Sequence, residues 1–182
     1  MHTYTFNEHK HNYAVWTAAR AVQRGFTTTA KIKAAIKSSS LRNFSEDALT
    51  YSEEDFEQFH KECAQQLIKA FEVSGIKDVS YGRAAKIIAI YLKTTIILCN
   101  KGECKKSTII HPPIDNILLT EIATRFKELK NLKNERWTSF DETTYWNLVS
   151  KIKSHFNKFD WTLEEYWRPE REKEKPTNYE HL

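Results

Sequence analysis

Two short segments of the chain carry residues that could form one reactive site. The first, VSYGRAAK, places Lys86 just after a glycine turn at Gly82 and at the head of an apolar run. The second, HPPIDNILL, places Asp115 just after two prolines. A primary amine beside a carboxylate can perform nucleophilic chemistry. If the two segments are instead separate helix starts, Lys86 extends to solvent and Asp115 caps its helix.

His111 is a third candidate for chemistry in the same region. It precedes the two prolines and is therefore held in an extended conformation. From there its imidazole could serve a site shared with Asp115 as an acid or a base. The alternative is a loop histidine that is hydrogen-bonded for structural reasons.

The sequence predicts neither a metal nor a cofactor. Cys99, Cys104 and His111 match no standard zinc spacing, and no fourth ligand is apparent. The cysteines also do not indicate a disulfide framework, because the chain opens without a secretory signal.

Nucleic acid is the partner that charge and local pattern permit. The connection before Lys86 presents backbone N–H groups at the positive end of the next helix, where Gly82 and Arg83 could hold a DNA phosphate. Arg20, Arg24 and Lys31 belong to the densest basic stretch of the chain, which has a net charge of +4. This stretch is either a phosphate-contacting face or a solvated helix side.

The segment from Val79 to Ala123 resembles the helix-hairpin-helix DNA glycosylases. Gly82-Arg83-Ala84-Ala85-Lys86 is similar to the G-x-G-x-K signature of that family, with Ala84 in place of the second glycine, and Pro113-Ile114-Asp115 is similar to its P-V-D segment. The resemblance implies that Lys86 attacks the sugar carbon and forms a Schiff base. It also implies that Asp115 stabilises the charge on the sugar and activates the amine.

A second resemblance covers more of the chain. NYAVWTAARAVQRGFTT, YGRAAKIIAIYLK, IIHPPIDNILL and LEEYW together look like a family of small, uncharacterised prokaryotic all-α proteins. This resemblance implies a single small domain and leaves the activity open. Two interpretations of function follow: a DNA-binding protein with glycosylase-like base excision and lyase chemistry, or a non-catalytic helical module that binds nucleic acid or a protein partner.

The elements that must position these residues are predicted to be helices. Four glycines and four prolines in 182 residues favour an all-α fold over a sheet protein. We expect about six to seven helices around a buried central helix, Arg83 to Cys99, flanked by helices from Ser52 to Val73 and from Ile114 to Leu129. Asn7 is predicted to cap the first helix, and residues 41–51 are predicted to be loop.

The predicted organisation is one helical domain over residues 1–168. Residues 137–168 could form a tryptophan-rich C-terminal subdomain, and residues 169–182 are predicted to be a charged, flexible tail. The chain has no apolar stretch of 18 residues, so we expect no membrane span and a cytoplasmic location.

Overall fold

The chain forms seven α-helices within residues 3–169, which are the residues that the computed structural model describes. In chain order they are α1 (Phe6–Val22), α2 (Thr29–Lys37), α3 (Leu41–Glu46), α4 (Glu53–Val73), α5 (Tyr81–Leu92), α6 (Asn116–Arg125) and α7 (Glu142–Phe156). One π-helical segment, Lys93–Ile97, and four 3₁₀ segments, Lys105–Thr108, Lys127–Asn134, Trp137–Ser139 and Trp161–Tyr166, lie between and after them. The described part contains no strand, which confirms the all-α class. The predicted tail lies, except for Pro169, outside the described residues.

Helix α5 is the buried centre that the apolar pattern predicted. Ala84, Ile87 and Tyr91 are fully buried, and the helix packs against α1 on one side and α4 on another. A helix that is apolar nearly all round can bury its whole surface only when other helices surround it. The same core includes Phe140 and Leu163 from the tryptophan-rich segment.

The α-helical part of this central element begins at Tyr81 instead of Arg83, because Ser80 caps it, and it ends earlier than predicted. It stops at Leu92 instead of Cys99 and continues as a π-helical turn, in which the Leu98 N–H donates to the Lys93 carbonyl. Thr94 and Thr95 lie in this turn, and their hydroxyls donate to the carbonyls of Ile90 and Tyr91. Threonine hydroxyls that bond back to the preceding turn disturb the regular ladder, which accounts for the change of helix type.

Helices α1 and α6 are capped by residues that differ from the predicted start of each helix. Thr5, not Asn7, caps α1, because Thr5 and Glu8 form a reciprocal capping box. The predicted helix from Ile114 begins at Asn116 instead, because Asp115 is its cap and accepts a hydrogen bond from the Leu118 N–H. That helix also ends at Arg125 instead of Leu129.

The predicted loop over residues 41–51 contains the short helix α3. Leu41 and Phe44 on this helix are buried in the core, and the Phe44 ring stacks on Phe59 of α4 with centroids 3.9 Å apart. Tertiary packing therefore stabilises a helix of six residues that would be marginal alone.

Gly82 allows the segment after α6 to lie directly on α5. Its N–H donates to the Phe140 carbonyl at 3.1 Å. A Cβ atom at this position would lie 1.9 Å from the Trp137 carbonyl oxygen. The absence of a side chain is thus what lets the Trp137–Ser139 turn reach α5 one turn before Lys86.

None of the described helices is long and apolar enough to cross a bilayer.

We predict that Gly82→Ala lowers the free energy of unfolding by about 3 kcal/mol, because the added methyl group overlaps backbone and not a movable side chain. Urea unfolding measures the change. In Gly75→Ala the Cβ meets no atom within 4 Å, and only its positive φ of 83° resists the substitution, so the loss should be about 1 kcal/mol. A gain in stability from Gly82→Ala, as expected for alanine in an open helix, would contradict the close approach.

Candidate functional site

Lys86 and Asp115 lie in direct contact. Lys86 Nζ is 3.2 Å from Asp115 Oδ2, although the residues are 29 positions apart in the chain. Lys86 is in the second turn of α5, and Asp115 is the N-cap of α6. The lysine is only 8% exposed, so it does not extend to solvent. The two helix starts therefore form one ion pair inside the fold.

Asp115 both caps its helix and pairs with the lysine. Oδ1 accepts the Leu118 N–H at 3.0 Å, and Oδ2 accepts from Lys86 Nζ and from Trp167 Nε1 at 3.1 Å. Donors to both oxygens stabilise the charged carboxylate and fix its orientation. Asp115 thus caps its helix and contacts Lys86 at the same time.

Burial changes the acid–base behaviour of Lys86. Desolvation lowers the pKa of the Lys86 amine from its ordinary value of 10.5, and the ion pair and hydrogen bond with Asp115 raise it in part. The lowering is the larger effect, because the ammonium ion loses more hydration than one carboxylate restores. The neutral, nucleophilic form of the amine is therefore more accessible than in an exposed lysine.

Two indole rings cover the pair. Lys86 Nζ lies 4.3 Å from the centroid of the Trp137 ring, a cation–π contact. Trp167 covers Asp115 from the solvent side and is itself 39% exposed. The space beside Lys86, between Gly82, Pro112 and Tyr145, has no room for a water molecule. In this conformation the amine is closed off from any substrate.

A second lysine–carboxylate pair lies about two helical turns after Lys86, at the start of the π-helical segment that follows α5. Lys93 Nζ donates to Glu164 Oε2. Burial raises the pKa of the Glu164 carboxyl, and the charge of Asp115 contributes to the rise. The two ion pairs are thus close enough for their carboxylates to interact, and Lys93 provides a matched comparison for Lys86.

The predicted phosphate-binding residues are not all free to bind. Gly82 is buried and its N–H is already bonded to Phe140. The Arg83 guanidinium lies over the Phe26 ring at 4.4 Å, and Lys31 Nζ donates to the Ser74 carbonyl at the end of α4. Arg20 and Arg24 are exposed at the end of α1. Arg20 and Arg24 are therefore open to a partner, whereas Arg83, Lys31 and the Gly82 amide already make contacts within the fold.

His111 does not join the Lys86–Asp115 pair through a hydrogen bond. It is 7% exposed, and its Nδ1 lies 2.8 Å from the Tyr145 hydroxyl. Tyr145 also lies 3.4 Å from Nε2 of His60, whose Nδ1 lies 2.9 Å from the Tyr81 hydroxyl. The structure therefore places His111 at one end of a buried network of two histidines and two tyrosines.

Burial keeps both histidines of this network neutral near pH 7. Desolvation lowers the pKa of His60 to about 3 and the pKa of His111 well below its ordinary value. His60 was not among the predicted site residues. Its only signal was its position four residues after Phe56 on the apolar face of α4, where an imidazole needs buried partners.

Comparisons of this chain with protein-family models, with curated proteins and with solved structures found no match. Within residues 3–169, no three His, Cys, Asp or Glu side chains are arranged to hold a metal ion.

We predict that the protein loses stability as the pH falls below 6.5. The unfolded chain then takes up protons at His60 and His111 that the folded protein excludes, because the folded pKa of each is depressed. The loss approaches 1.4 kcal/mol per pH unit for each histidine. Urea unfolding between pH 7 and pH 5.5 measures the slope.

His60→Gln should reduce that slope, whereas His9→Gln, which changes an exposed histidine on α1, should leave it as in the unmodified protein. Equal slopes in all three proteins would show that the buried histidines do not govern the acid sensitivity.

Proposed function

We propose that this chain is a DNA-binding protein with glycosylase-like base excision and lyase chemistry at Lys86 and Asp115. The observation that carries the proposal is the 3.2 Å contact between the amine and the carboxylate of two motifs that are distant in sequence. Burial of a lysine together with an aspartate has a desolvation cost, and a site that uses both groups would account for it.

The chemistry begins with loss of a proton from Lys86 to solvent, which leaves Asp115 ionised. The amine then attacks the C1′ carbon of the sugar, and the bond to the base breaks with its electron pair leaving on the base. The Asp115 carboxylate faces the positive charge that develops on the sugar, takes the proton that the attacking nitrogen loses, and passes it to the ring oxygen as the bond between C1′ and that oxygen breaks. Opening of the sugar ring gives a Schiff base between Nζ and C1′, the intermediate from which strand cleavage proceeds.

Two tryptophan side chains, Trp137 and Trp167, must move before a substrate can reach the Lys86 amine. Trp137 makes a cation–π contact with Lys86, and Trp167 donates a hydrogen bond to Asp115. Indole rings stack well on nucleic-acid bases, so a strand could replace the contacts that the rings lose when they move. Trp167, at the solvent side, is the more accessible of the two.

Basic side chains support binding to the DNA backbone. Arg24 and Arg20 are exposed, and Arg83 lies against Phe26, two residues after Arg24. Contacts of this type bind phosphate without reading sequence, and their strength falls as salt rises. The net charge of +4 is compatible with such a partner.

A non-catalytic binding module is the second candidate, and one surface favours it. Tyr13 and Trp16 on α1 stack with centroids 5.8 Å apart, yet they are 53% and 52% exposed. Large aromatic side chains that remain in solvent are typical of surfaces that contact a nucleic acid or a protein. In this case the Lys86–Asp115 pair would serve only to join α5 and α6.

The proposal predicts covalent trapping through Lys86. Borohydride reduction in the presence of duplexes that carry an abasic site or a modified base should link the protein to DNA. Lys86→Ala should abolish the adduct, and Asp115→Asn should slow its formation about a hundredfold or more. Gel electrophoresis of the reduced complexes measures both effects.

Lys93→Ala is the matched control, because it removes the other partly buried, ion-paired lysine of the same element and should leave trapping intact. No adduct with any duplex, together with DNA binding that survives Lys86→Ala, would favour the non-catalytic module. An adduct that persists in Lys86→Ala would exclude Lys86 as the nucleophile.

A further inference from the structure

A pocket of about 380 Å³ lies between the start of α4 and helix α7, and it is separate from the Lys86 site. Phe56, Trp146 and Phe159 provide aromatic walls, and His111 forms part of the lining. None of the residues that line this pocket also lines the space beside Lys86. The volume suits a small aromatic molecule.

The buried network fixes which way the His111 ring presents its proton. Trp146 Nε1 can only donate, and it donates to the Tyr81 hydroxyl at 3.0 Å. Tyr81 is buried, so its own O–H needs an acceptor, and the neighbour in reach is Nδ1 of His60 at 2.9 Å. Because His60 is neutral, its proton is then on Nε2.

The same reasoning continues to the pocket. Nε2 of His60 donates to the Tyr145 hydroxyl, and Tyr145 donates to Nδ1 of His111. His111 is also neutral, so its proton is on Nε2. This is the one direction in which every O–H of the network has an acceptor. Nε2–H of His111 has no hydrogen-bond partner among the described residues, and His111 lines the pocket while only 7% exposed.

Three glutamates also line the pocket, namely Glu53, Glu54 and Glu57. Glu53 and Glu57 are paired with Lys153 and Lys61, respectively. Glu54, which also lines the pocket, has no ion-pair partner among residues 3–169. A ligand would therefore meet a hydrogen-bond donor at His111, aromatic walls, and an uncompensated acceptor at Glu54.

We propose that this pocket binds a small aromatic heterocycle that has an acceptor nitrogen on its ring and an amino group, the chemistry of an aminopurine or aminopyrimidine. The ring nitrogen accepts from His111 Nε2–H, the ring packs between the aromatic walls, and the amino group donates to Glu54. A simple organic cation satisfies the glutamate and leaves the histidine proton unpaired. The proposal does not rest on the activity proposed for Lys86.

Calorimetric titration with three probes tests the ligand chemistry on the full chain. Adenine should bind most tightly. Purine lacks the amino group, and benzamidine lacks the acceptor nitrogen, so each should bind about tenfold more weakly or worse. Equal affinity for the three probes, or no binding of adenine at millimolar concentration, would overturn the proposal.

Glu54→Gln should weaken adenine binding about tenfold, because an amide accepts less strongly than a carboxylate. Glu72→Gln changes an exposed glutamate at the other end of α4 and should have no effect. Glu54 is exposed, so its variant should keep the fold, and thermal unfolding verifies this. An unchanged affinity in Glu54→Gln would contradict the assigned role of the carboxylate.

Nitrogen NMR of the histidines gives a test that needs no variant. His111 should carry its proton on Nε2 in the free protein, and adenine should shift that Nε2–H signal. A proton on Nδ1 would overturn the network direction and with it the proposal.

An oligodeoxyadenylate that competes with adenine would identify a base within a strand as the source of the ligand, and simultaneous binding would identify the free heterocycle.

Discussion

The burial of one charged amine, Lys86, is the constraint on which the surrounding structure depends. An ammonium ion at 8% exposure is costly unless an anion and further contacts replace its water. Asp115 supplies the anion, and its position at the start of α6 fixes that helix relative to α5. Trp137 supplies the aromatic face, which can reach the amine only because Gly82 has no side chain. Removing either charge would leave its partner buried without a counter-ion.

A second buried polar system joins the other side of α5 to α4 and α7. His60, Tyr81, Tyr145 and His111 connect three helices with the segment before the prolines. Buried polar groups of this kind are stable when each donor has an acceptor, and here the direction of donation follows from the indole N–H of Trp146. The network therefore does two things: it holds the helices in register and it orients one imidazole toward a pocket.

Local pattern predicted much of this arrangement, and tertiary contacts account for what it missed. The apolar run after Lys86 indicated a buried central helix, and the position of Asp115 after two prolines indicated a helix cap; both are present. The meeting of Lys86 with Asp115 was expected from motif resemblance. The cover by Trp137 was not, since it depends on backbone contact between positions 55 residues apart. His60 was missed because its hydrogen-bond partners are 21 and 85 residues away.

The pKa of the Lys86 amine is the most direct measure of this burial. NMR titration of isotopically labelled lysine side chains would follow Lys86 beside Lys93 in the unmodified protein and in Asp115→Asn. Burial predicts a pKa for Lys86 below the ordinary 10.5, and a further fall in Asp115→Asn, because the carboxylate is what raises it. A pKa at the ordinary value that does not respond to Asp115→Asn would show that the amine is solvated and that the two residues do not form one site.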